Sequence, residues 1–382
     1  MKASGQASHR IAHGSYGAPV ERAVIVPRVF YGNMGWVSTK EIEIACDESG
    51  SEGENVTGAS HRVFVHASVD FTVDEAASVM GEVRRLAPSQ APEYKSEQLM
   101  SPAGREALAW LLSPNGPLAG RAHAYLVDKD YFIVGKVVDL LVEEVTHAAD
   151  VDLYADRQAR AFAWTLHRQG ARALGLAEWS SLLGAFNSLM RVKQRRGLKT
   201  TVDEFFDIVD RVRLHSRRRN VSEVLDLLWR AKPHADDFQA RLMDDPDQLP
   251  TLDPLIASLG QTVRWWHEEK QRPVRIVHDR QAALTPARVA KFIETIAHPL
   301  PEFARFTPPT HITAIDQVDS KYDPRVQVAD LLAGASREIA SDALASGHDN
   351  RSFQLRPFVD GESLWSHDAS WRALTGRDAL GR

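Results

Sequence analysis

Cysteine is almost absent: the chain holds one, Cys46. A lone thiol excludes an intramolecular disulfide and a cysteine-based zinc cluster. Long apolar runs are missing too. No stretch approaches the roughly 20 apolar residues of a transmembrane helix, so no membrane partner is expected. The first residues are polar and lack the apolar core of a secretory signal, which makes the cytoplasm the expected location. Positive charge is not in excess. Lys and Arg number 46 against 51 Asp and Glu, a net charge of −5. That excludes a uniformly basic coat for nucleic acid but leaves room for local basic patches. Neither G-x-S-x-G nor H-E-x-x-H occurs. Ser49 in "DESGS" therefore does not read as a nucleophile elbow, and the scattered histidines do not read as a zinc-protease pair. No internal repeat or low-complexity tract is visible.

What is present reads as an α/β chain. Residues 1–38 are rich in Gly, Ser, His and Pro and read as a loose arm, with one short extended piece, "AVIVPRVF". "EIEIACD" then alternates Ile42, Ile44 and Cys46 with Glu43, Ala45 and Asp47, the period of a strand. "HRVFVHASVDF" (61–71) is β-branched and aromatic, and the Gly/Ser/Asn-rich stretch before it suits a hairpin loop. Helical spacing follows over 73–87, a Ser101-Pro102 start after that, and a third strand over "RAHAYLVDKDYF" (121–132). From about 135 to 268 the pattern is helical throughout. Thr201 and Glu204 form a capping-box pair, and Asp253-Pro254 opens a further helix. Strand character returns in "VRIVHD" (274–279) and "HITAID" (311–316), with a helix from Thr285-Pro286 between them. A last helix runs over 324–344, followed by a tail of loops and short helices. This order predicts a mixed sheet flanked by helices and interrupted by a large all-helical insertion.

Two of these strands end in aspartate, Asp47 and Asp279. Open sheets place their ligand crevices at such C-terminal strand ends. If the two strands are parallel neighbours, their carboxylates meet at one edge. Close carboxylates repel, and one stays protonated unless a cation neutralises them. Mg²⁺ does this with oxygen ligands. A strand-end Asp also commonly does no more than cap a loop. In the last helix Gln327, Asp330 and Gly334 share one face, and Asp330 sits in an otherwise apolar run, Val328–Ala333. A carboxylate there needs a partner, whether a metal, an arginine or a backbone amide. Gly334 in a helix interior costs about 1 kcal/mol against Ala, which points to close packing.

"CDESG" and "DSKYDPRVQVADLLAGA" together resemble a bacterial family called domain of unknown function 3800, itself similar to the ribonuclease H-like nucleases and integrases. The resemblance covers roughly 41–132 and 270–345. It implies a ribonuclease H-like five-stranded mixed sheet over 39–134 and 270–346; the helical block, 135–269, lies outside the resemblance and reads as an insertion, and 347–382 reads as a tail. It implies a two-metal nuclease using Mg²⁺ or Mn²⁺, with Asp47, Asp279 and Asp330 as metal ligands. "PEYKSEQL" looks like the family's Glu-x-Lys segment and nominates Glu93 and Lys95. Glu48 competes for the fourth acidic position: on a continuing strand it points away from Asp47, whereas a chain that turns at the strand end can bring it round. The superfamily's usual further acid lies on the helix after the third strand, where Asp139, Glu143 and Glu144 stay equal candidates. A host-defence or mobile-element role suits such families.

The expected substrate is RNA or DNA. Lys95, and Ser320 with Lys321 in the loop before the last helix, are candidates to meet phosphates, the alternative for the last two being a solvated surface loop. "RVKQRRGLK" (191–199), with Arg195 and Arg196, and "DRVRLHSRRRN" (210–220), with Arg217 and Arg218, are candidate phosphate-gripping segments. Their alternative is a solvated helix face. Other functional readings are a non-catalytic nucleic-acid or protein-binding module on the same fold and a small-substrate phosphohydrolase. His278 beside Asp279 reads as structural, because alternation sends neighbours to opposite faces.

Overall fold

Alternating apolar residues do produce a five-stranded sheet. The computed structural model describes residues 40–89, 91, 94–142, 158–191, 199–245, 247–299, 308–347 and 349–377. The extended piece expected in the N-terminal arm lies outside them. The strands are β1 (Ile42–Ser49), β2 (Val63–Val69), β3 (Ala122–Asp128), β4 (Val274–Asp279) and β5 (Ile312–Val318). Their order across the sheet is β3-β2-β1-β4-β5. β1 and β2 pair antiparallel, as do β2 and β3, whereas β1–β4 and β4–β5 are parallel. β1, β3, β4 and β5 therefore all finish at the same edge.

The helices are α1 (Val73–Leu86), α2 (Ser96–Met100), α3 (Arg105–Leu111), α4 (Lys129–Val137), α5 (Gln158–Leu174), α6 (Leu176–Met190), α7 (Val202–His215), α8 (Arg219–Arg230), α9 (Lys232–Asp244), α10 (Pro254–Lys270), α11 (Pro286–Ala297), α12 (Pro324–Ser346), α13 (Ser352–Leu355) and α14 (Asp368–Thr375). Seven of these begin where a side chain satisfies an orphan N–H group of the first turn. Thr72 and Thr201 form capping boxes with Glu75 and Glu204, and Asp253, Thr285 and Asp323 cap helices that start on proline. The strand expected to reach Phe132 ends at Asp128. There the Asp128 carboxylate accepts the Asp130 N–H and opens α4, so a local cap overrides the β-propensity of "YF". α4 continues as a π-helical turn, Val138–Val142.

Strand period divides the core into two faces. Ala45, Val65, Ala67, Leu126 and Val277 face α1 and α12. Ile44, Cys46, Phe64, Val127 and Ile276 face α10, and the same apolar cluster extends through Leu259 and Trp266 into α5–α8. The tail is part of the sheet's closure. Ala124 N–H donates to Phe358 O (2.8 Å), Asp360 N–H to Ala124 O (2.9 Å) and Leu364 N–H to Leu126 O (2.9 Å). Residues 358–364 thus occupy the outer edge of β3, and Trp365 and Trp371 are buried. Among the described residues no helix is long and apolar enough to cross a membrane.

Candidate functional site

The parallel pairing of β1 and β4 sets Cys46 opposite His278, so the next residues, Asp47 and Asp279, are neighbours at the carboxyl edge. Both fall on the α12 side by alternation. α12 packs across β1 and β2 and carries Asp330 in its second turn. The Asp47 side chain is buried, with the residue 6% exposed. Burial raises its pKa well above the ordinary carboxyl value, and the charges of Glu48, Asp330 and Asp279 add to the rise. The three strand-end and helix acids named from the sequence therefore share one electrostatic field.

Each acid has a present partner. Asp47 Oδ1 accepts the Glu48 N–H (2.8 Å), and Asp279 Oδ1 accepts the Ser320 N–H (3.0 Å). Asp330 Oδ2 lies 3.7 Å from Lys95 Nζ, whose side chain is 46% exposed. Lys95 reaches it because it immediately precedes α2, and α2 lies directly on α12. A methyl group at Gly334 would overlap the side chain of Ser96, so the glycine gives α2 its close seat one turn beyond Asp330. The packing reason expected for this glycine is thus Ser96.

Glu48 belongs to the opposite face. β1 continues to Ser49, so alternation turns Glu48 toward α10. Its side chain is 8% exposed. Gln281 Nε2 donates to Oε1 (2.5 Å), whereas buried Oε2 has no hydrogen-bond partner and stands 3.8 Å from His278 Nε2. Burial, then the carboxylates of Asp253 and Asp279, push Glu48 up to about 8. Beneath it runs a buried polar chain. His278 Nδ1 contacts Asp279 O (2.8 Å), His278 Nε2 meets His66 Nε2 (3.2 Å), and His66 Nδ1 meets Thr262 Oγ1 (2.8 Å). A carbonyl accepts only, so His278 donates from Nδ1 and accepts at Nε2. His66 then donates from Nε2 and accepts from the Thr262 hydroxyl. Burial lowers the pKa of both imidazoles, in keeping with this neutral pair.

His66, Thr262 and Asp253 were not singled out as site residues by the sequence. Alternation alone puts His66 on the Phe64 face, but no local signal links a β2 histidine to a helix 196 residues later. His278 keeps the structural position that alternation gave it.

Glu93, Glu143, Glu144, Arg195 and Arg196 lie outside the described residues. Asp139 lines a separate cavity of about 440 Å³ with Tyr131, Lys136, Arg160 and Trp365. Arg217 and Arg218 are exposed in the turn between α7 and α8, on the helical block. Lys321 is exposed in the Asp319–Tyr322 turn beside Asp279. Among the described residues no group of three or more His, Cys, Asp or Glu side chains stands ready to hold a metal ion. Comparison with protein-family models, curated proteins and solved structures gives no match.

Proposed function

We propose that the protein is a metal-dependent nuclease that hydrolyses phosphodiester bonds at the edge formed by Asp47, Asp279 and Asp330. The observation that carries this reading is geometric: Asp47 and Asp279 end adjacent parallel strands on the α12 side, and α12, packed across β1, carries Asp330. The sheet order, with acids on the first strand, the fourth strand and the last long helix, supports the ribonuclease H-like reading and the kinship with domain of unknown function 3800.

The donor set fits Mg²⁺ or Mn²⁺. It is made of hard carboxylate oxygens, and a bound cation would offset the burial and the neighbouring carboxylates that raise the Asp47 pKa. Asp47, Asp279 and Asp330 would hold the ions. Bound there, divalent ions lower the pKa of water and neutralise charge on phosphoryl oxygens. The chain supplies the rest. The Ser320 N–H fixes the Asp279 carboxylate. The Lys95 ammonium, half exposed, can move from Asp330 to a phosphoryl oxygen. Water's oxygen bonds to phosphorus, the ester P–O bond breaks, and water's protons end on the released hydroxyl and the solvent.

Cleavage of labelled single- and double-stranded RNA and DNA, in Mg²⁺, Mn²⁺ or EDTA, tests this. Wild type should cleave at least one substrate only with metal, and Asp47→Asn should lose about 100-fold or more. Folded wild type that cleaves none of them with metal present would sink the proposal. A second reading is a binding module on the same fold, and the Lys95–Asp330 pair favours it because a lysine already neutralises one acid. In that case calorimetry with Mn²⁺ gives no binding heat.

A further inference from the structure

Tyr322 is the most exposed large hydrophobic residue among those described, at 85%. A single exposed aromatic is ordinary on a protein surface. This one is set apart by how it is held and by what surrounds it. Its own N–H donates to Asp319 O (2.9 Å), and the Lys321 N–H donates to Asp319 Oδ1 (3.1 Å). Gln327 Nε2 donates to Ser320 O (2.8 Å) and Lys321 O (3.2 Å). The next residue, Asp323, caps α12. The turn is therefore fixed on both sides while the ring stays in water.

The same turn touches the candidate site. Two residues before the ring, the Ser320 N–H bonds to Asp279 Oδ1. Arg280, 72% exposed, follows Asp279 and lies 3.9 Å from Asp319. Lys321, the residue before Tyr322, is exposed. An exposed aromatic on a hydrogen-bonded turn, preceded by exposed Lys321 and linked through Asp319 to exposed Arg280, borders a group of acids. Cations at a rim meet phosphates, and a free ring face meets a base.

We propose that Tyr322 is a base-stacking platform that makes the site select unpaired nucleotides. One base lies on its ring while Lys321 and Arg280 meet the adjoining phosphates. The inference rests on the nuclease reading and names its substrate class as single-stranded polynucleotide. In a duplex both faces of each base are already stacked on neighbours, so the ring has nothing to receive. Stacking tolerates any base, so selectivity falls on strandedness rather than on sequence.

Fluorescence anisotropy on the full chain carrying Asp47→Asn tests this without cleavage. The probes are labelled single-stranded RNA and DNA, the matching duplexes, and an abasic single strand. Single strands should bind more tightly than duplex or abasic strand. Adding Tyr322→Ala should weaken single-strand binding roughly tenfold or more and leave the abasic strand unchanged, while Tyr322→Phe keeps the wild-type affinity. Equal affinity for single strand and duplex, unchanged binding in Tyr322→Ala, or no binding of any probe overturns the platform. Cleavage by wild type keeps the two ideas apart. If wild type cleaves and Tyr322→Ala retains its strand preference, the platform falls and the nuclease stands. If wild type never cleaves yet single-strand binding needs Tyr322, the nuclease falls and the platform stands.

Discussion

Glu48 holds its proton far above the ordinary carboxyl value of 4.5, because burial and the charges of Asp253 and Asp279 push it up to about 8. The folded chain therefore binds a proton that the unfolded chain releases from about pH 4.5 upward. Its contribution to stability is full below that pH and is lost as pH rises toward 8. Urea denaturation should show wild-type stability falling between pH 5 and pH 8. Glu48→Gln should flatten that fall by an amount on the order of a few kcal/mol. Identical pH slopes in the two proteins would contradict the assigned environment. Asp47 is raised in the same direction, so without metal Asp47→Asn should be at least as stable as wild type in thermal melts at pH 7. A lower Tm would count against the strained acid. Alternation in "EIEIACD" gave the split between Asp47 and Glu48 only on condition that the strand continued past Asp47, as β1 does. The partners under Glu48 were not legible, because His66, Asp253 and His278 come from three distant segments.

α12 depends for its seat on one missing methyl group. Gly334→Ala would force the Ser96 side chain, and α2 with it, away from α12. Overpacking of this kind costs about 1–3 kcal/mol, and here it also moves Lys95 off Asp330. Chemical denaturation should show the loss, and Gly334→Ala with Ser96→Gly should recover most of it. A double variant no better than the single one would mean that the contact is not the cause. The helix starts and strand centres were readable, because caps and two-residue alternation are local signals. Asp330 was readable as a carboxylate stranded in an apolar run. Its present partner is a lysine 235 positions earlier in the chain, and no local pattern encodes such a distance. The end of β3 at Asp128 was missed because one side-chain cap outweighed an aromatic, strand-like run.

The whole molecule closes its sheet with its tail. Phe358, Trp365, Trp371 and Leu374 are buried, and the buried His123–Asp360 pair (2.9 Å) fixes the crossing. Ending the chain at Gly347 should uncover β3 and its apolar surroundings. Size-exclusion chromatography with light scattering should then find concentration-dependent association. A monodisperse, stably folded truncation would refute that role. The tail was legible as loops and short helices, but its pairing was not, since backbone bonds to a distant strand leave no periodic trace. The separation has a consequence for the chain as it is made. His123 meets its partner 237 residues later. At about 5–20 residues per second, a ribosome takes roughly 10–50 s to supply them. For that interval the newborn β1–β3 meander carries a raw outer edge, which makes slow elongation a hazard and early chaperone cover an advantage.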